Sequence, residues 1–181
     1  MSKATAQARA APKPVAVPEG FDRVEVMNHL LKLTNRLMAP FATHLEKRYR
    51  ISLNEFRVLM LIGQLGTTAS HELAQMLGVN TMAVSRAVAA LSKHGRIEVG
   101  TDPQSRRRKM LHLTAEGERL WHEMMPATVK VADYLFEALR TDEVMAFDHY
   151  LRTLVERLEA EGPRGQSLFL ERTRPEGAGE D

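Results

Sequence analysis

The stretch SHELAQMLGVNTMAVSRAVAALSKHGR, residues 70–96, decides how this chain is read. Leu73, Ala74 and Leu77 recur at helical spacing over a short segment from Ser70 to Leu77. Gly78, Val79 and Asn80 then make a tight turn, with Gly78 supplying a positive φ at no steric cost. A second helix runs from Thr81 to about His94, with Val84, Val88 and Leu91 on one face. Gly95 is placed to end it in the left-handed conformation. Two short helices joined by a glycine turn, with small Ala74 where they cross, form a helix-turn-helix. The second helix exposes Asn80, Thr81, Met82, Ser85, Arg86 and Ala89 away from Val84 and Val88. Such a polar face, leading with its N-terminus, suits the major groove of DNA. Hydroxyls and Arg86 meet phosphates and base edges there, and Met82 meets a thymine methyl. An ordinary helical hairpin with a solvated face shares this local pattern, so the flanks decide.

Downstream, Arg96 to Gly100 and Lys109 to Leu113 read as two short strands, with Asp102 to Arg108 as the loop between them. Lys93, Arg96, Arg106, Arg107, Arg108 and Lys109 stand against Glu98 and Asp102. Six cations against two carboxylates leave this stretch at +4, while the whole chain carries +2. A polyanion therefore meets one basic patch on a nearly neutral body. A helix-turn-helix followed by a hairpin with a cationic tip sets Arg106, Arg107 and Arg108 beside the recognition helix, where arginines enter the minor groove.

Upstream, Phe21 to Arg50 carries two apolar stripes. One runs through Val24, Met27, Leu31, Met38, Phe41 and Leu45, the other through Val26, Leu30, Leu33 and Leu37. A helix apolar on more than one face must be covered on more than one side. Pro40 should kink or locally break it. Ser52 and Glu55 form a capping box that opens a helix carrying Phe56, Leu59, Met60 and Ile62. Beyond the hairpin, Thr114 caps a long helix with Glu116 and Glu118 in its first turn. Pro126 predicts a bend in it. A last helix begins at Thr141, and its Val144, Phe147, Leu151, Leu154 and Leu158 form an a/d seam over two heptads.

The bulk composition sets the bounds. At 181 residues and 44% hydrophobic, the chain fits a mainly α domain with a small β-wing, flanked by tails. The absence of cysteine excludes disulfides, thiolate metal sites and cysteine nucleophiles. No apolar run is long enough for a membrane span or a secretory signal, so a cytoplasmic protein is expected. The seven histidines (29, 44, 71, 94, 112, 122 and 149) are scattered, without metal-ligand or catalytic spacing. The chain is read as no enzyme, needing no metal and no cofactor.

These features resemble the MarR family of bacterial regulators. The resemblance runs from about Val24 to Leu158. It rests on Leu73 and Ala74 with Leu77 to Val79, on Thr81 to Arg86 ahead of Leu91 and Gly95, and on Asp102 and Pro103 through Leu113 and Thr114 to Gly117. It implies a homodimeric winged helix-turn-helix that binds a palindromic operator in double-stranded DNA, a repressor released by a small aromatic acid. It also implies that Arg107, counted back from Thr114, is the wing-tip arginine. The family's usual Asp two residues earlier is Ser105 here, leaving Asp102, or the neighbours Arg106 and Arg108, to support the contact.

On this reading residues 1–20 are a disordered arm, and 21–161 are the domain. Residues 52–113 form the winged helix-turn-helix, 21–50 and 114–161 the dimerisation helices, and 162–181 a flexible tail. The resemblance places an effector between the dimerisation helices and the DNA-binding lobe. Candidates there are His29, Arg36, His44 and Arg57, with Met38, Phe41, Met60 and Trp121 as apolar walls. A carboxylate needs a cation and an aromatic ring needs a flat apolar slot, which points to a hydroxybenzoate, cinnamate or hydroxynicotinate. Two alternatives stay open: a zinc-responsive regulator of the same fold, and a winged-helix module that binds protein.

Overall fold

The computed structural model describes residues 20–102 and 105–175, and for 101–102 and 105–109 the backbone alone. The N-terminal arm thus lies outside the described residues except for Gly20. The chain divides into two compact units, one ending at His112 and one beginning at Leu113.

The first unit opens with α1, Arg23–Tyr49. The Asp22 carboxylate caps it by accepting the Val24 N–H at 2.8 Å. The helix is not broken at Pro40 but continues through it. Its two halves differ. From Arg23 to Arg36 every residue is exposed, whereas Leu45 and Tyr49 are buried. The helix α2, Leu53–Leu65, carries the expected capping box: Ser52 Oγ accepts the Glu55 N–H (3.2 Å) and the Glu55 carboxylate accepts the Ser52 N–H (2.8 Å). Phe56, Val58, Leu59 and Ile62 of α2 are buried, and the Phe56 ring meets Phe41 edge-on at 4.9 Å, joining α2 to α1.

The helix-turn-helix consists of α3, Ser70–Leu77, and α4, Thr81–Lys93. Both α2 and α3 pack on α4, and the buried Leu73, Val84, Ala87 and Leu91 belong to this centre. Gly78, at φ 60°, makes the turn, and the Val79 N–H reaches back to the Ala74 carbonyl at 3.3 Å. A two-residue strand β1, Thr68–Ala69, precedes α3 and was not legible in the sequence, being too short for any alternation. It pairs antiparallel with the wing, Thr68 opposite Leu111 and Ala69 opposite Met110. The Glu72 carboxylate fixes this junction by accepting from the Ala69 N–H (3.1 Å) and the buried Thr68 hydroxyl (3.2 Å).

The wing strands are β2, Ile97–Asp102, and β3, Ser105–Leu113, in the sheet order β1-β3-β2. Both run further toward the turn than the sequence suggests, so Arg106, Arg107 and Arg108 lie on strand backbone and not in a loop. The run Arg106 to Lys109 is charged throughout and lacks the apolar alternation by which a sequence betrays a strand.

The second unit holds three helices, α5 (Ala115–Phe136), α6 (Thr141–Glu159) and α7 (Leu168–Thr173). Thr114 Oγ1 caps α5 from the Gly117 N–H at 3.1 Å, and the helix continues through Pro126. No residue of α6 is buried; its seam residues Leu154 and Leu158 are exposed. The span 162–181, expected to be a flexible tail, holds structure as far as Thr173. Glu161 bridges to Ser167, the Leu168 N–H reaches the Ala160 carbonyl at 3.0 Å, and Ser167 caps α7, which packs on α6. Gly162, Pro163 and Gly165 turn the chain back here instead of releasing it, and Leu168, Phe169 and Leu170 are its helical turn. Among the described residues no helix is long and apolar enough to cross a membrane.

Candidate nucleic-acid interface

The helix α4 is divided lengthwise by burial. Ala83, Val84, Ala87 and Leu91 are buried, while Asn80, Thr81, Met82, Ser85, Arg86 and Ala89 are all exposed. Met82 is 70% exposed, an unusual position for a large apolar side chain, and one that a thymine methyl would suit. Asn80 is more than a surface residue. Its carboxamide oxygen accepts the Ala83 N–H at 2.8 Å as the N-cap of α4, which leaves its NH₂ group to point elsewhere. At the other end Gly95, at φ 65°, stops the helix, and the Arg96 N–H returns to the Leu91 carbonyl at 2.9 Å. These six positions thus share a solvent-facing side with the helix N-terminus, whose free N–H groups favour phosphate.

The basic patch loses one member. Arg96 turns its guanidinium inward: Nη2 donates to the Tyr49 carbonyl at 3.1 Å, and Nη1 is buried with no hydrogen-bond partner. A sequence count of charges cannot tell a solvated arginine from one folded onto a neighbouring helix. The side chains of Arg106, Arg107 and Arg108 lie outside the described residues; β3 gives their backbone a place in the wing.

The effector candidates do not form one cluster within a single chain. His29 and Arg36 are exposed on the first half of α1. His44 lies fifteen residues beyond His29, about 22 Å along the helix, with its ring edge-on to Tyr49 at 6.0 Å. The structure does bring Met38 and Arg57 together, with Nη2 of Arg57 3.4 Å from the Met38 sulfur. Both are half-buried, as are Phe41, one turn along α1 from Met38, and Met60 of α2. Trp121 belongs to the second unit, edge-on to His122 at 4.7 Å, with its indole N–H buried and unpartnered. Among the described residues no three His, Asp or Glu side chains gather as a metal-holding group.

Comparison with known proteins agrees with this geometry. Residues 51–109 match the sequence model of the MarR family. Over 128 residues the chain is 23% identical to YwoH, an HTH-type transcriptional regulator of Bacillus subtilis (strain 168), a match spanning 71% of this chain and 93% of that one. FabT of Streptococcus pneumoniae, solved in complex with DNA, shares the fold with a TM-score of 0.62 and 21% identity, over 76% of this chain and 98% of that one. So does BpsR of Bordetella bronchiseptica, whose DNA binding is regulated by 6-hydroxynicotinic acid. Its TM-score is 0.61 and its identity 22%, over 72% of this chain and 98% of that one.

Proposed function

We propose, from the match of residues 51–109 to the MarR family model, that the chain is a DNA-binding transcriptional regulator of that family, a cytoplasmic repressor reading a palindromic operator as a homodimer and released by a small aromatic acid. The observation that carries the proposal is the division of α4: a buried stripe holds the helix, and every polar residue selected for groove contact is left facing solvent. On this reading Asn80, Thr81, Met82, Ser85 and Arg86 enter the major groove, and Arg106, Arg107 and Arg108 of the wing reach the flanking minor groove. Residues 52–113 are the DNA-binding part, with 21–50 and 114–161 supplying the dimer contacts. Selection of bound duplexes from a random pool tests this. A palindrome with half-sites about 34 Å apart is the expected result, and retention of no duplex overturns the proposal.

Dimerisation is supported by apolar surface without cover. Val24, Met27 and Leu31 on one stripe of α1, and Val26, Leu30 and Leu33 on the other, are all exposed, as are Leu154, Val155 and Leu158 of α6. Helices apolar over this much of their circumference bury that surface against another copy.

The effector reading is supported by Arg57. A half-buried guanidinium whose described partner is a thioether has no counter-charge among the described residues, and a carboxylate would supply two charge-assisted hydrogen bonds. Met38 and Phe41 beside it offer an apolar wall for the attached ring. A rise in melting temperature with 6-hydroxynicotinate or 4-hydroxybenzoate, lost in Arg57→Met, is the expected result. If neither acid shifts the melt, the effector assignment falls and DNA binding stands. The zinc-responsive and protein-binding alternatives have no described cluster or surface that favours them.

A further inference from the structure

Arg96 stands where three pieces of the first unit meet. Its backbone N–H closes α4 on the Leu91 carbonyl at 2.9 Å, β2 begins at the next residue, and its side chain crosses to the last residue of α1. The acceptor is the carbonyl of Tyr49, at the end of a 27-residue helix, where the unsatisfied carbonyls concentrate partial negative charge. Around it the chain is held in place: Arg50 turns left-handed, Ile51 is buried, and Arg48 donates its Nε–H to the Tyr49 hydroxyl at 3.1 Å. The other terminal nitrogen of Arg96 is buried without a partner. That is costly if the group serves local stability alone, because an apolar side chain would fill the space without an unsatisfied donor.

We propose that Arg96 is a positioning residue for DNA binding. It struts the C-terminal end of α1 against the junction of the recognition helix and the wing, and so fixes the angle at which both meet the duplex. This rests on the DNA-binding reading above. The strut makes no DNA contact itself and acts through α4 and β2. Displacement of α1 would then reach the groove-facing helix and the wing together, through one side chain.

The test uses the full chain and a duplex recovered by selection, with Arg96→Met and Arg96→Lys. Anisotropy titrations at several salt concentrations measure affinity, and hydrogen exchange reports the amides of residues 95–99. At a temperature where all forms are folded, R96M should bind about tenfold more weakly with an unchanged salt slope, because no phosphate contact is lost. Its 95–99 amides should exchange faster. R96K, which keeps the charge and a shorter reach, should fall between. Unchanged affinity with a lowered melting temperature shows a merely structural arginine and overturns the proposal. A salt slope reduced by about one shows a direct phosphate contact, and also overturns it. If R96M does not fold, R96K decides: wild-type affinity overturns the proposal, and a several-fold loss at constant slope upholds it. If the wild-type chain binds no duplex, the DNA-binding reading has failed and this one with it, an outcome distinct from the others.

Discussion

The carboxamide oxygen of Asn80 accepts the Ala83 N–H at 2.8 Å, so the residue proposed to lead α4 into a groove is already engaged in capping it. On that proposal stability and recognition meet at one side chain, and substitutions can separate them. Asn80→Ala removes the cap and should cost about 1 kcal/mol, read as a melting temperature about 2–4 °C lower. Asn80→Asp keeps an acceptor at the positive end of the helix and should melt at or above the wild-type temperature. It also turns a negative charge toward phosphate, so its DNA affinity should fall. Equal affinity for the Asp variant would mean that this end of α4 does not approach the backbone.

Arg50 closes α1 with φ 52° and ψ 47°, the one non-glycine residue with positive φ among those described. A side chain in that region costs about 1 kcal/mol, which glycine does not incur. Arg50→Gly should therefore raise the melting temperature by about 2–4 °C, whereas Arg50→Ala, still carrying a Cβ, should not. Differential scanning calorimetry of the two variants separates backbone relief from loss of the charge. Equal shifts would place the effect in the side chain instead.

How much of this was legible in the sequence depends on how local each determinant is. The span Ser70–Leu77, the Gly78 turn, the Ser52–Glu55 box and the Thr114 cap were readable because spacing and capping chemistry lie within four residues. Strand β1 was not, because Thr68 and Ala69 owe their conformation to pairing with Leu111 and Met110, some forty residues away. The inward turn of Arg96 likewise depends on Tyr49, forty-seven residues back. The turn before α7 was misread for a different reason. Gly162, Pro163 and Gly165 signal irregular backbone, but not whether that backbone is held, and here Gln166 holds it through the Arg164 and Gly162 N–H groups.

Groove contacts and backbone contacts should respond differently to mutation. If Ser85 and Arg86, both exposed on α4, read base edges, substituting either should change which duplexes are preferred, by about 1–3 kcal/mol at a position read by Arg86. If Arg107 meets mainly phosphate, Arg107→Ala should weaken selected and random duplexes alike and lower the salt slope by about one. Titrating each variant against both duplexes, at several salt concentrations, gives the two patterns. An Arg107 variant that changes preference and not slope would move that residue into direct readout. If changes at Ser85 and Arg86 leave preference intact, the groove assignment of α4 is wrong.

The proposed dimer can be tested where α1 is most exposed. Leu31 is 54% exposed and shares a stripe with Val24 and Met27, whereas Lys32 lies on the polar side of the same turn. Burying a leucine fully stabilises by about 1.5–3 kcal/mol, and a two-fold axis makes one substitution act on both copies. Leu31→Glu replaces that gain with a desolvated carboxylate in each protomer, so association should weaken by at least a hundredfold. Among the described residues nothing covers this position, so helix content should hold. Lys32→Glu changes charge more and should leave the association state alone. Sedimentation velocity at micromolar concentration reads all three proteins, with dimer expected for the wild type and Lys32→Glu and monomer for Leu31→Glu. Operator affinity should fall with the dimer, because a monomer presents one α4 to a site built for two. A wild-type monomer at this concentration would sink the dimer, and a dimeric Leu31→Glu would move the interface off this half of α1.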